Sequence, residues 1–252
     1  MYHLPIILLI TLALLMGTML YSSAADNAPD GSQYKDTPRG FIAKTMTIGG
    51  REIKYVVYAP ACYQPDKPIP TIIFLNGMGE CGRDGWRQVS HFGNAIMLNA
   101  EKWPFIVIFP QKQSKESFWE DEEIVMMTAL ERTKAEYNLD LKRLYLTGLS
   151  QGGHGTWAIG ARHPEMFAAI APVCGWGDEK MAKKLVGTPI WAFHGDADTT
   201  ISVDRSKEMV EWVKAAGGDA KLTIYPGVGH NSWDNAYRNE SLGEWFLRHK
   251  KE

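Results

Sequence analysis

Residues 41–252 predict one α/β domain: a mostly parallel central sheet, an antiparallel hairpin at its N-terminal side, and helices on both faces. Three observations lead there. Two short, continuous apolar runs at 71–75 and 105–109 have the character of strands buried on both faces of a parallel sheet. From residue 71 onward, strand and helix signals alternate. Ahead of them, two β-rich segments flank Gly49-Gly50, a hairpin signal.

The elements follow in order. Residues 4–20 are almost uninterruptedly apolar and lead into Ser22-Ser23-Ala24-Ala25, so residues 1–25 are expected to be a signal peptide cut near Ala24 or Ala25. The run is long and no lysine or arginine precedes it, which keeps an uncleaved membrane anchor as the alternative. Either way the chain is expected to be exported, to the periplasm or beyond the cell. Residues 26–40 read as a flexible spacer, and 41–48 with 52–58 as the hairpin. After a proline-punctuated loop at 60–70 come the strands 71–75 and 105–109. Ile124, Met127, Leu130 and Lys134 mark a helical repeat over 122–137. A strand at 143–147 runs into a helix that His163-Pro164 ends near residue 162. Strands at 167–173 and 190–193 precede a helix over 204–216, stopped by Gly217-Gly218. The last strand is 221–225 and the last helix 241–250.

At 252 residues, 45% hydrophobic and 22% charged, the chain can bury one full core. The net charge of −2, with basic residues no denser than short pairs, leaves no electrostatic footprint for nucleic acid. The three cysteines show no Cys-x-x-Cys spacing, so no structural zinc is read, and neither metal nor cofactor is expected.

The chemistry concentrates in Gly148-Leu149-Ser150-Gln151-Gly152, which leaves one predicted strand and enters a helix rich in small residues. Such a turn strains the serine backbone and excludes bulk two residues to either side, where Gly148 and Gly152 stand. His194-Gly195-Asp196-Ala197-Asp198 and Gly229-His230 follow later strands. The order Ser, Asp, His is that of α/β-hydrolases, and each residue falls at a strand's C-terminal end, where open sheets place their sites. A serine hydroxyl needs a base to attack a carbonyl, and that imidazole needs a carboxylate to orient it. Ser150 is therefore read as nucleophile, His230 as base and Asp198 as acid.

Asp196 competes as the acid but follows Gly195 directly, where an Asx turn would occupy it. His154, on the elbow helix, points along it rather than across the sheet end and is read as pocket lining or helix surface. The oxyanion hole needs two backbone N–H donors, expected from Gln151 and from Met78 in Asn76-Gly77-Met78-Gly79-Glu80. Among nine tryptophans, Trp119, Trp176 and Trp233 are candidates for an aromatic pocket wall, and Glu80 and His154 for further substrate contacts.

These segments, with Ala171-Pro172-Val173-Cys174-Gly175-Trp176-Gly177-Asp178 and Gly229-His230-Asn231-Ser232-Trp233, resemble secreted α/β-hydrolase esterases of the dienelactone hydrolase and polyhydroxybutyrate depolymerase-like group. That group includes family 1 carbohydrate esterases and sequences called predicted peptidases. The resemblance runs from about residue 40 to the C-terminus and implies the α/β-hydrolase fold and esterase activity, with acid at Asp198 and base at His230. It departs at Asn76, where the family usually has histidine, and at Cys81, where arginine is common. The expected substrate is a small-molecule or polysaccharide ester, carrying acetyl or feruloyl-type groups. A prolyl oligopeptidase-like serine peptidase and an inactive binding module on the same fold are the alternatives. The predicted topology puts Cys62 at the sheet end away from the site, and Cys81 and Cys174 at the site. Cys81–Cys174 is thus the candidate disulfide, set against three free thiols.

Overall fold

The computed structural model describes Tyr34 and residues 37–252. The expected leader, and the spacer apart from Tyr34 and residues 37–40, lie outside the described residues. No helix among the described residues is long and apolar enough to cross a membrane.

Among the described residues, eight strands form one sheet: β1 (Gly40–Ile48), β2 (Arg51–Ala59), β3 (Ile69–Leu75), β4 (Ile106–Pro110), β5 (Leu139–Leu149), β6 (Ala169–Val173), β7 (Ile190–Gly195) and β8 (Ala220–Tyr225). Their spatial order is β1-β2-β4-β3-β5-β6-β7-β8. The β1–β2 and β2–β4 pairs are antiparallel, and every pair from β4 to β8 is parallel. Gly49 and Gly50 close the hairpin at φ 54° and 77°, the left-handed pair that a two-residue turn between twisted strands requires.

Among the described residues, seven α-helices cover the sheet: α1 (Phe92–Leu98), α2 (Glu123–Glu136), α3 (Gln151–Arg162), α4 (Glu179–Lys184), α5 (Asp204–Ala215), α6 (Trp233–Arg238) and α7 (Leu242–Leu247). The strand side chains alternate between two cores, as a sheet buried on both sides demands. In β3, Ile69, Ile73 and Leu75 join the core beneath α2 to α5, while Ile72 and Phe74 join the one beneath α1, α6 and α7.

Four expectations are corrected in detail. The buried stripe of α2 is Val125, Met126, Ala129, Leu130 and Thr133, whereas Ile124 is 54% exposed. The repeat begins one residue later because Val125 also fits it, and Thr133 turns inward by donating its hydroxyl to Ala129 O at 2.7 Å. The short helices α1, α4 and α6 occupy stretches read without regular structure. The strand at 143–147 is longer, starting at Leu139, while the final helix is shorter than expected.

The topology places the site. The chain passes from β3 to β4 on one side, and β5 returns to the other side of β3. Their carboxyl ends therefore diverge at a switch point, where an open α/β sheet leaves a crevice. Leu75 and Gly148 are register partners there, so the loop after β3 and the turn after β5 emerge side by side.

Candidate active site

The turn after β5 is held by backbone contacts that admit no side chain at its flanks. A Cβ on Gly148 would sit 2.5 Å from Gly152 O and 2.7 Å from Leu75 O; one on Gly152 would sit 1.9 Å from Leu75 O. Between them Ser150 adopts φ 54°, ψ −117°, a conformation that costs about 1–3 kcal/mol and persists only where the surroundings impose it. Here Ser150 N donates to Val173 O at 2.9 Å, and Ser150 O accepts from His154 N at 2.9 Å.

His230 and Asp198 come from the loops after β8 and β7. The Ser150 hydroxyl donates to His230 Nε2 at 2.9 Å, and His230 Nδ1–H donates to Asp198 Oδ2 at 2.7 Å. The Asp198 carboxylate is wholly buried, and its Oδ1 accepts from Thr200 N and Ile201 N at 2.8 and 2.9 Å. Burial alone would push its pKa up, but the His230 bond and the two backbone donors outweigh that and hold it below the usual carboxylate value. Asp196 takes another role, accepting from Gly227 N at 2.6 Å to tie the two loops together. His194 closes the acid loop from beneath, donating Nε2–H to Ile201 O at 2.9 Å and bonding Ser206 Oγ through Nδ1 at 2.7 Å. Burial, the largest influence on it, lowers its pKa and keeps it neutral.

Gln151 opens α3 and Met78 opens a short 3-10 helix at Met78–Glu80, so neither N–H has an intrahelical acceptor. The organiser of the Met78 loop is Asn76, whose importance the sequence did not reveal. Its Oδ1 accepts from Lys112 N, its Nδ2 donates to Gly77 O, and its carbonyl accepts from Trp119 Nε1 at 2.9 Å. Glu80 Oε1 bonds His91 Nε2 at 3.2 Å.

The aromatic candidates separate. Trp233 lies edge-on to His230 at 5.3 Å between ring centres, and Trp176 is partly exposed on the loop after β6. Trp119 is 0% exposed and is no pocket wall: its indole lies against Gly155 and braces Asn76 from below. His154 is likewise neither pocket lining nor helix surface, being enclosed between Trp176, Phe118 and Glu120. All three cysteines are free. Cys174 is buried with φ 39°, and Cys81 Sγ is taken up by Asn76 and Gly77 O, so the candidate Cys81–Cys174 pair does not form and the alternative of three free thiols holds.

Cys174 Sγ, an Asp198 oxygen and a His230 nitrogen lie within 4.8 Å of one another, a spacing that could hold a cation. Asp198 and His230 are already bonded to each other, so an ion there would displace the proton that aligns the ring.

A strained serine after a central parallel strand, bonded to a later histidine and a buried aspartate, defines the chain as an α/β-hydrolase. It belongs to the dienelactone hydrolase family, whose model matches residues 96–241. Among its relatives, the bifunctional acetylxylan esterase/xylanase XynS20E of Neocallimastix patriciarum is 30% identical over 61% of this chain and 22% of its own length. The poly(3-hydroxyalkanoate) depolymerase C of Paucimonas lemoignei is 26% identical over 58% of this chain and 38% of its own. The chain thus spans well under half the length of these relatives. The crystal structure of a thermostable esterase is similar with a TM-score of 0.77, at 31% identity over 84% of this chain and 63% of that one.

Proposed function

We propose that this protein hydrolyses carboxylic esters through an acyl-enzyme on Ser150. The observation that carries the reading is the unbroken relay from Ser150 Oγ to His230 to Asp198, at 2.9 and 2.7 Å. As Ser150 Oγ attacks the ester carbonyl, His230 Nε2 takes its proton and Asp198 stabilises the resulting imidazolium. The Gln151 and Met78 N–H groups receive the oxyanion. His230 then returns the proton to the departing alcohol, leaving the acyl group on Ser150. Water, deprotonated by the same ring, releases the acid and restores the serine.

For the substrate, we favour acetyl or feruloyl-type esters of carbohydrates. The likeness to an acetylxylan esterase supports this reading, as do the partly exposed Trp176 and Trp233, since aromatic rims suit sugar and aryl faces. Export directed by residues 1–25 belongs to the same reading. The test is hydrolysis of p-nitrophenyl acetate, butyrate and octanoate beside methyl ferulate and acetylated xylan. Turnover of acetylated xylan or methyl ferulate well above that of the octanoate is expected; preference for the octanoate would overturn the carbohydrate-ester assignment.

A further inference from the structure

One turn along α3 from Ser150, the His154 ring lies nearly parallel to the Trp176 indole, 17° apart with centres at 4.7 Å. Its Nδ1 is 2.9 Å from Trp176 O and its Nε2 is 2.8 Å from Glu120 Oε1. A carbonyl and a carboxylate can only accept, so both ring nitrogens must donate, and a ring that donates twice carries a positive charge. Burial opposes that charge, yet the Glu120 bond and its negative charge prevail and raise the His154 pKa. Glu120 is correspondingly lowered: burial acts against its ionised form and the His154 bond outweighs it.

Other charges facing the pair are Asp178 beyond Trp176, Arg162, which donates to Glu120 O at 2.7 Å, and Lys180 and Lys184 from α4 across a shared groove. A buried ion pair is a costly way to fill space, and apolar side chains of similar volume commonly do it as well or better. What this pair supplies is direction. It fixes the carbonyl and the face of Trp176 together, three residues beyond Val173, whose own carbonyl holds Ser150 N.

We propose that His154, protonated at neutral pH and paired with Glu120, is a positioning residue that holds Trp176 as a fixed wall for the substrate acyl group beside Ser150. The acyl group in this statement rests on the esterase reading; the charge state does not. In the full-length protein at pH 7.5, nitrogen-15 NMR of the His154 ring should show both nitrogens protonated, and Glu120→Gln should leave one. In both Glu120→Gln and His154→Gln, KM for p-nitrophenyl benzoate should rise about three- to tenfold, the worth of one aromatic contact, with a smaller rise for the acetate. A singly protonated wild-type ring would overturn the proposal, as would equal losses in kcat on both esters with unchanged KM. If the wild type cleaves neither ester, the esterase reading fails alone. The proposal is then decided by the NMR titration and by whether the Trp176 indole resonance loses its fixed environment in Glu120→Gln.

Discussion

Replacing Gly152 by alanine should disable the site from a position that touches no substrate. The added Cβ would lie 1.9 Å from Leu75 O, 2.6 Å from its carbonyl carbon and 2.8 Å from Asn76 O. Non-bonded carbon atoms rest at about 3.5 Å or more, so one backbone must retreat by roughly 1–1.5 Å. Neither partner is a flexible side-chain end that could swing away. One is the helix carrying the Gln151 N–H; the other is the β3 terminus leading to Met78. The substitution therefore pries apart the two expected halves of the oxyanion hole. A misplacement near 1 Å in a catalytic constellation costs about 100-fold in rate, and overpacking of this kind about 1–3 kcal/mol in stability. Initial rates on p-nitrophenyl acetate, with thermal melts on the same samples, measure both. A Gly152→Ala enzyme with kcat within threefold of wild type and an unchanged Tm would refute the claim that backbone contact at this glycine sets the hole.

Two further perturbations test the surrounding structure. Trp119→Phe removes the indole donor to Asn76 O and leaves that buried carbonyl unpaired, which costs about 1–3 kcal/mol. Steady-state kinetics should show kcat falling more than KM changes, and unaltered kcat and Tm would contradict the bracing role. Thiol titration with Ellman's reagent should find Cys62 alone reactive in the native protein and all three cysteines in denaturant without reductant. Cys81 and Cys174 are buried, and burial pushes both thiols up, away from the reactive thiolate; fewer than three thiols in denaturant would mean that a disulfide exists.

The sheet and the candidate site were legible because Ser150 directly follows a strand signal, while Asp198 and His230 lie in the short loops after two later ones, and parallel strands end where chemistry gathers. Their order along the chain then specified the fold, and the hairpin was marked by its two glycines. Other features depended on contacts that a linear pattern does not carry. The helix α2 offers apolar residues at both Ile124 and Val125, so only packing decides its phase. Helices of six or seven residues, such as α4 and α1, hold too few turns to show a period. Asn76 draws its partners from 36 and 43 residues away, and Trp119 reads as any tryptophan until its burial is known. The Glu120–His154 pair joins residues 34 apart, so its charge follows only from the acceptors around the ring.

The hydrogen-bonded relay predicts that Ser150 is a nucleophile activated by His230 and Asp198. Intact-mass and peptide mass spectrometry after exposure to a fluorophosphonate read out that activation without any chosen substrate, because an activated serine displaces fluoride from phosphorus and keeps the phosphonyl group. One adduct per chain, on Ser150, is expected, with none on a folded Ser150→Ala protein. An unlabelled wild type, or label on another residue that persists in Ser150→Ala, would mean that the relay does not activate Ser150.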